Sequence, residues 1–208
     1  METSLDMRSA LRLFATSTAA ALLLVSAPAV AQLTLTLYAG YAGSDGVDNV
    51  TTNTQADIKS AAAFAVALGT ALDGSREMQL LFRSQSTTLS PGGGAAPFDL
   101  KIRYLHLGGT AFIDQPIGAG PYAVGGFGAT QFSPSTSGYG EEVKPSLNLG
   151  FGYYWPLGER VALRAEARGY FTFVNNSGGF LCSGGCVVVM RSDVFSQYEA
   201  MIGLTARF

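Results

Sequence analysis

Seven ionisable residues share an unusual setting. Glu77, Arg83, Arg164, Glu166, Arg168, Glu199 and Arg207 each lie in a segment where large apolar residues recur at every second position. In an extended chain alternate side chains point to opposite faces. Each of these charges therefore shares a face with small or polar residues and turns away from the Leu, Phe and Tyr of its own segment. An ion held in a water-poor interior is costly unless it is paired. The expectation is pairing across neighbouring strands, with Glu199 meeting an arginine of the segment before it. Such a cluster serves either as a sealed polar core or as the lining of a narrow ion path.

His106 is the chain's one histidine. Catalysis would require a nucleophile or carboxylate within its reach. Some outer-membrane lipid A deacylases pair a histidine with a serine two residues on, but here that residue is Gly108. The expected role is structural, with no catalytic residue. Cys182 and Cys186 are the two cysteines, separated by Ser183-Gly184-Gly185. In an exported chain the pair is expected to oxidise to a local disulfide, whose small ring shapes a loop tip and adds little global stability. A structural zinc site needs about four ligands, and one histidine with two cysteines does not supply them. No metal or cofactor is expected. Gly118-Ala119-Gly120-Pro121 precedes a strand pattern and contains proline, so it is no dinucleotide fingerprint.

The elements that must position these residues are strands. A transmembrane strand needs about 9–11 tilted residues, and eight segments fit. They are Leu33 to Gly43, Ala61 to Leu72, Glu77 to Thr88, Leu100 to Phe112, Pro121 to Phe132, Lys144 to Trp155, Val161 to Val174 and Val194 to Phe208. The sixth is the most regular, with Leu147, Leu149, Phe151, Tyr153 and Trp155 set against Ser146, Asn148, Gly150 and Gly152. Ala61 to Leu72 favours helix by propensity, but its period-2 alternation places it with the strands. Two facings stay open. The fifth segment is rich in glycine, and Lys101 and Arg103 share the parity of Leu105 and Leu107. One end of the fourth strand is therefore expected to reach beyond the membrane.

Connections alternate in length. Asp73-Gly74-Ser75, the Asp114 to Gly120 stretch and Pro156 to Glu159 are short, with the second the longest of the three. Ser44 to Ser60, Ser90 to Phe98, Ser133 to Val143 and Asn175 to Asp193 are longer and polar or glycine-rich. Short periplasmic turns against longer outer loops mark an outer-membrane barrel, and an even strand count leaves both ends in the periplasm. Apolar residues make up 48% of the chain and charged residues 13%, against about 25% charged in a soluble domain. With a net charge of −2, nothing suggests nucleic-acid binding. A soluble exported barrel or sandwich would alternate equally well. The mismatch in size decides for the membrane: large apolar side chains on one face suit lipid, and small or ionised ones suit a narrow interior.

The first 31 residues read as a cleaved signal peptide, with Arg8 and Arg12, an apolar run from Leu13 to Val25, and Ala29-Val30-Ala31 before Gln32. The run is short for an uncleaved anchor. Glu2 and Asp6 suit an n-region poorly, which favours Met7 as the start. Residues 32–208 then form the barrel.

The last segment presents Tyr198, Ile202, Leu204 and Phe208 on one face and ends in phenylalanine. It resembles the insertion signal of bacterial outer-membrane barrels. With eight segments behind a signal peptide, the chain resembles the small OmpA-like, OmpX-like and opacity-type barrel proteins. The resemblance covers architecture and carries no functional motif. It implies an all-β, eight-stranded antiparallel transmembrane β-barrel of up-and-down meander order in the outer membrane of a Gram-negative bacterium. It also implies periplasmic chaperones and the barrel-assembly machinery as partners in biogenesis, outer-membrane lipids as surroundings, and a monomer. Eight strands leave an interior just wide enough for side chains. The leading expectation is a non-enzymatic protein with a structural or surface-interaction role through its loops. A narrow porin-like conduit is the alternative, and a lipid-modifying enzyme the second alternative.

Overall fold

Ten strands run in the computed structural model, which describes residues 32–45, 47–49, 54–91, 96–113, 116–136, 140–174 and 194–208. They are β1 Leu33–Ser44, β2 Val47–Asn49, β3 Thr54–Ile58, β4 Ala61–Ala71 and β5 Arg76–Ser90, then β6 Phe98–Phe112, β7 Gly120–Pro134, β8 Glu142–Pro156, β9 Val161–Phe173 and β10 Val194–Arg207. Eight of them close a barrel in the order β1, β4, β5, β6, β7, β8, β9, β10, every pair antiparallel. The seam is β1 against β10, where Phe208 N donates to Leu33 O at 2.9 Å.

The eight expected segments fall on these eight strands, with ends shifted by two residues or fewer. Ala61–Ala71 is strand, because pairing with both β1 and β5 outweighs the helical preference of its alanines. The loop expected from Ser44 to Ser60 needs correction. It holds the hairpin β2–β3, and β3 continues the barrel wall by pairing Asp57 and Ile58 with Ser90 and Leu89 of β5. The period-2 stretch there is too short to stand out in the sequence.

Facing follows the period-2 alternation, with large side chains on both faces. Phe64, Phe127, Phe151, Ile202 and Leu204 point outward and are more than half exposed. Thr34, Thr36 and Tyr38 of β1, Glu77 to Gln85 at alternate positions of β5, and Arg164, Glu166 and Arg168 of β9 point inward and are buried. The glycine-rich β7 resolves the same way, with Tyr122 and Val124 inside and Ala123 and Phe127 outside.

Strand register fixes the tilt. From Ser84, paired residues lead through Arg103 and Gln131 to Val143 of β8. In the other direction they lead through Phe64, Ala39, Ile202 and Ala165 to Tyr153 of the same strand. The two paths meet β8 ten residues apart, which is the stagger that closure of a tilted barrel requires.

In the connection before Gly120, Ile117 lies against the short-turn end of the lumen. Ile117 packs against Phe112, Tyr122, Val124, Tyr154 and Ala162, and its N–H donates to Gly74 O at 3.0 Å. Gly118 and Gly120 take φ of 96° and 78°, the left-handed region where glycine avoids the Cβ clash.

Candidate functional site

The lumen is the place where the sequence's ionisable residues meet. It is filled in layers. At the short-turn end lies the apolar group of Phe112, Tyr122, Val124, Tyr154, Ala162 and Ile117. At the loop end lies a second apolar layer, including Ile58, Leu89, Leu100, Ile102, Phe132 and Phe195. The interior was expected to carry only small and ionised groups. Both apolar layers depart from that; at the loop end the inward positions of β6 above Tyr104 are Ile102, Leu100 and Phe98.

Between the layers sit three arginines and three glutamates, all nearly or fully buried. Arg83 Nε bonds Glu199 Oε2 at 3.0 Å, and Arg164 Nη2 bonds Glu77 Oε2 at 2.9 Å. Arg168 Nε bonds Glu166 Oε2 at 2.6 Å. The expected pairing of adjacent strands is not what forms. Arg83–Glu199 joins β5 to β10, and Arg164–Glu77 joins β9 to β5 across the tube. Although Glu199 is the register partner of Arg168, its carboxylate reaches inward to Arg83. Long side chains on a tightly curved wall converge on the axis, so groups from opposite strands come closest there.

Uncharged side chains complete each ion. Arg83 donates to Gln197 Oε1 at 3.1 Å and Gln85 Oε1 at 2.9 Å, beneath the rings of Tyr104 and Tyr170. Glu166 Oε1 accepts from Tyr38 and, at 2.6 Å, from Tyr122. Arg168 Nη2 donates to Gln79 Oε1 at 3.0 Å. Arg164 Nε and Nη1 lack hydrogen-bond acceptors; instead the guanidinium lies 4.7 Å from the Tyr154 ring centre and 5.6 Å from that of Tyr122. Cation–π attraction replaces part of the missing solvation there. Arg207 stands apart from the ion pairs. It donates to the Tyr154 hydroxyl at 2.9 Å and to Gly118 O at 3.2 Å, at the short-turn mouth.

His106 has the nucleophile that its own strand lacks. Ser146 Oγ of β8 lies 2.7 Å from His106 Nε2, and the Asn148 amide faces Nδ1. The proton inventory decides what this trio can do. Arg168 Nη1 donates to Asn148 Oδ1 at 3.3 Å, so the amide nitrogen is the atom that faces the ring. With that nitrogen as donor to Nδ1, the hydrogen-bond network assigns the ring proton to Nε2, directed at the serine. A serine hydrolase needs the opposite tautomer, with Nε2 free to accept the hydroxyl proton. The trio is buried and tied to the ion pairs through Arg168.

Tyr198, Ile202 and Leu204 form an exposed outward file on β10, and Phe208, just beyond its end, is exposed as well. Cys182 and Cys186 lie outside the described residues, as do residues 1–31, where a signal peptide was expected. Among the described residues no group of three His, Cys, Asp or Glu side chains could hold a metal ion. Sequence reading placed Tyr38, Gln79, Gln85 and Asn148 on the polar face without giving them a role, and missed Tyr104, Tyr122 and Gln197. Gln197 shares the parity of Glu199, whereas β6 and β7 carry no inward Arg or Glu that would mark Tyr104 and Tyr122.

A closed eight-stranded antiparallel meander with an apolar outside and a polar, ion-paired inside is the architecture of the small outer-membrane barrels. Solved structures agree. Neisserial surface protein A aligns over 85% of this chain and 97% of its own, at 13% identity and a TM-score of 0.55. Ail, the attachment invasion locus protein of Yersinia pestis, in complex with the heparin analogue sucrose octasulfate, aligns over 85% and 99% at 16% identity and 0.48. The N-terminal β-barrel domain of Pseudomonas aeruginosa OprF aligns over 86% and 99% at 14% identity and 0.49. The first of these carries the likeness, which is one of fold. No family model matches the sequence, and no curated protein matches it either.

Proposed function

We propose that this protein is a closed, non-enzymatic barrel of the bacterial outer membrane that holds its long loops at the cell surface. The observation that carries this reading is the ion-paired layer between two apolar layers. A conduit needs mobile charges facing water, whereas Arg83, Arg164 and Arg168 are committed to carboxylates and buried. The inverted proton on His106 argues against turnover. The strand ends that the long connections join lie at one end of the barrel, and Leu33 and Phe208 lie with the short turns at the other, which in this reading faces the periplasm.

Planar-bilayer recording tests closure. The purified protein should give no reproducible conductance steps. Steady steps that shift when Arg83 or Arg168 is replaced would establish the conduit instead. Orientation is tested separately. Ser135→Cys, with Cys182 and Cys186 changed to serine, should react with an impermeant maleimide on intact cells; labelling only after outer-membrane rupture would reverse the assignment.

A further inference from the structure

The outer wall is uneven at its loop end. On β1, β4, β5, β6 and β7 the last large apolar side chain facing outward is Tyr41, Phe64, Phe82, Leu105 or Phe127. On β8 and β9 it is Val143 and Phe173. Register gives their heights. The ten-residue stagger over eight strands raises each paired position by about one and a quarter residues per strand from β5 through β6 and β7 to β8, and lowers it as much the other way. Each tilted residue rises about 2.5 Å. The first five side chains then lie within about 5 Å of the level of Ser84, which marks the upper edge of the apolar band. Val143 and Phe173 stand about 8 Å above that level. Pro145 and Phe171 lie just below them on the same face, and Val194 of β10 is the register partner of Phe173.

Acyl chains cover the wall only up to the edge of the band. Above it, the apolar side chains of β8 and β9 stand among head groups or in water, and Val143 is 65% exposed. An apolar patch in that position marks a contact surface. The patch is continuous with the lipid-facing wall below it, and neither β8 nor β9 carries an outward charged side chain. Its cover must therefore share the bilayer with the barrel and stay apolar to the same height. A second copy inserted the same way meets both conditions. Lower on this face the relief is self-complementary. A hollow of about 820 Å³ is floored by Ala165, Ala167 and Ala200, with Phe151 on one side and Tyr41 and Ile202 on the other. Phe151 is 71% exposed, the most of any large apolar side chain within a described strand. It stands within about 3 Å of the height of Ala165 and Ala167. A two-fold axis along the membrane normal preserves height, and facing copies exchange left for right. The knob of each copy thus meets the hollow of the other.

We propose that two copies of this chain pair in the membrane through the outer faces of β8 and β9, about a two-fold axis along the bilayer normal. Phe151 of each copy fills the alanine hollow of the other. Val143 and Phe173 cover one another across the axis, above the lipid. The family resemblance implies a monomer; the uneven wall points the other way. Pairing requires only that both copies insert alike, so it does not depend on which end of the barrel faces out.

Energy transfer between labelled copies in lipid vesicles tests the pairing. The full protein carrying Ser135→Cys, with Cys182 and Cys186 changed to serine, is labelled with donor or acceptor, mixed, reconstituted and then diluted with lipid. Transfer should exceed that of randomly placed barrels and fall only as dilution separates the pair. A167W fills the hollow and should weaken association about tenfold or more. L107W, on the β6 wall, should leave association unchanged. Both variants should keep the heat-modifiable gel shift of a folded barrel. Transfer at the random level at every dilution overturns the dimer and leaves the face to lipid or to another protein. A folded A167W that associates like wild type overturns it too, as does an equal loss in L107W. Should A167W lose its gel shift, F151A must show the same loss of association, and its absence also overturns the pairing.

Discussion

Single side chains in this barrel act mainly by completing one another. Arg83 illustrates it: removing the guanidinium leaves the Glu199 carboxylate buried without its counter-ion, which costs about 3–5 kcal/mol, while replacing both partners with apolar groups can be nearly neutral. R83M should therefore lower stability by about that amount, and R83M/E199M should recover most of it. Urea unfolding in lipid vesicles, followed by Trp155 fluorescence, measures both; an R83M as stable as wild type would remove the ion pair from the account of stability. The Ser146 hydroxyl faces a histidine that carries its proton on the wrong nitrogen, so a fluorophosphonate should leave it unlabelled. Mass-spectrometric adduct formation at Ser146, lost in S146A, would contradict the tautomer. At the exposed turn before β5, Asp73 Oδ1 accepts from the backbone N–H groups of Ser75 and Arg76, and its carboxylate also pairs with the Arg76 guanidinium. The Ser75 N–H above all, then the Arg76 side chain, lowers its pKa from 3.8 to about 2. A depressed folded pKa means the turn gains from ionisation above the unfolded value and loses that gain as pH falls toward 2. NMR titration of the Ser75 and Arg76 amides should show a midpoint near 2, and D73N should abolish it; a midpoint at the unfolded value would deny the cap.

At the level of strands, glycine placement explains how large inward side chains fit so narrow a tube. Tyr122 lies over Gly152 of the neighbouring strand, where an added Cβ would come 2.5 Å from the ring; Tyr38 lies likewise over Gly203. These two tyrosines are the hydroxyl donors to Glu166. G152A should displace Tyr122 and cost about 1–3 kcal/mol, as overpacking does, and the same urea unfolding checks it. If G152A matches wild type, the glycine is not a seat for the ring. This pairing of ring and glycine is also where the sequence stops being readable. The strands were legible because Leu147, Phe151 and Trp155 repeat at period 2, and inward charges were legible by parity. Which charge meets which was not, because Arg83 and Glu199 are 116 positions apart and meet only through closure. Ser146 beside His106 was hidden for the same reason. The β2–β3 hairpin was missed because three and five residues are too few for alternation to register.

For the molecule as a whole, the apolar band and the filled lumen divide the work between lipid and core. The layer of Leu89, Leu100, Ile102, Phe132 and Phe195 lies toward the loop end, where β3 joins the wall, so the sheet stays packed after the lipid-facing residues stop. That packed layer closes the lumen at the loop end. The cross-tube ion pairs have one more consequence, for how the barrel comes into being. Glu77 and Arg83 belong to the first half of the chain, and their partners Arg164 and Glu199 belong to the last two strands. A nascent curl of the early strands would present uncompensated ions to acyl chains until its tail arrives. Assembly is therefore expected to reward simultaneous delivery of both halves and to penalise any fragment left waiting in the bilayer.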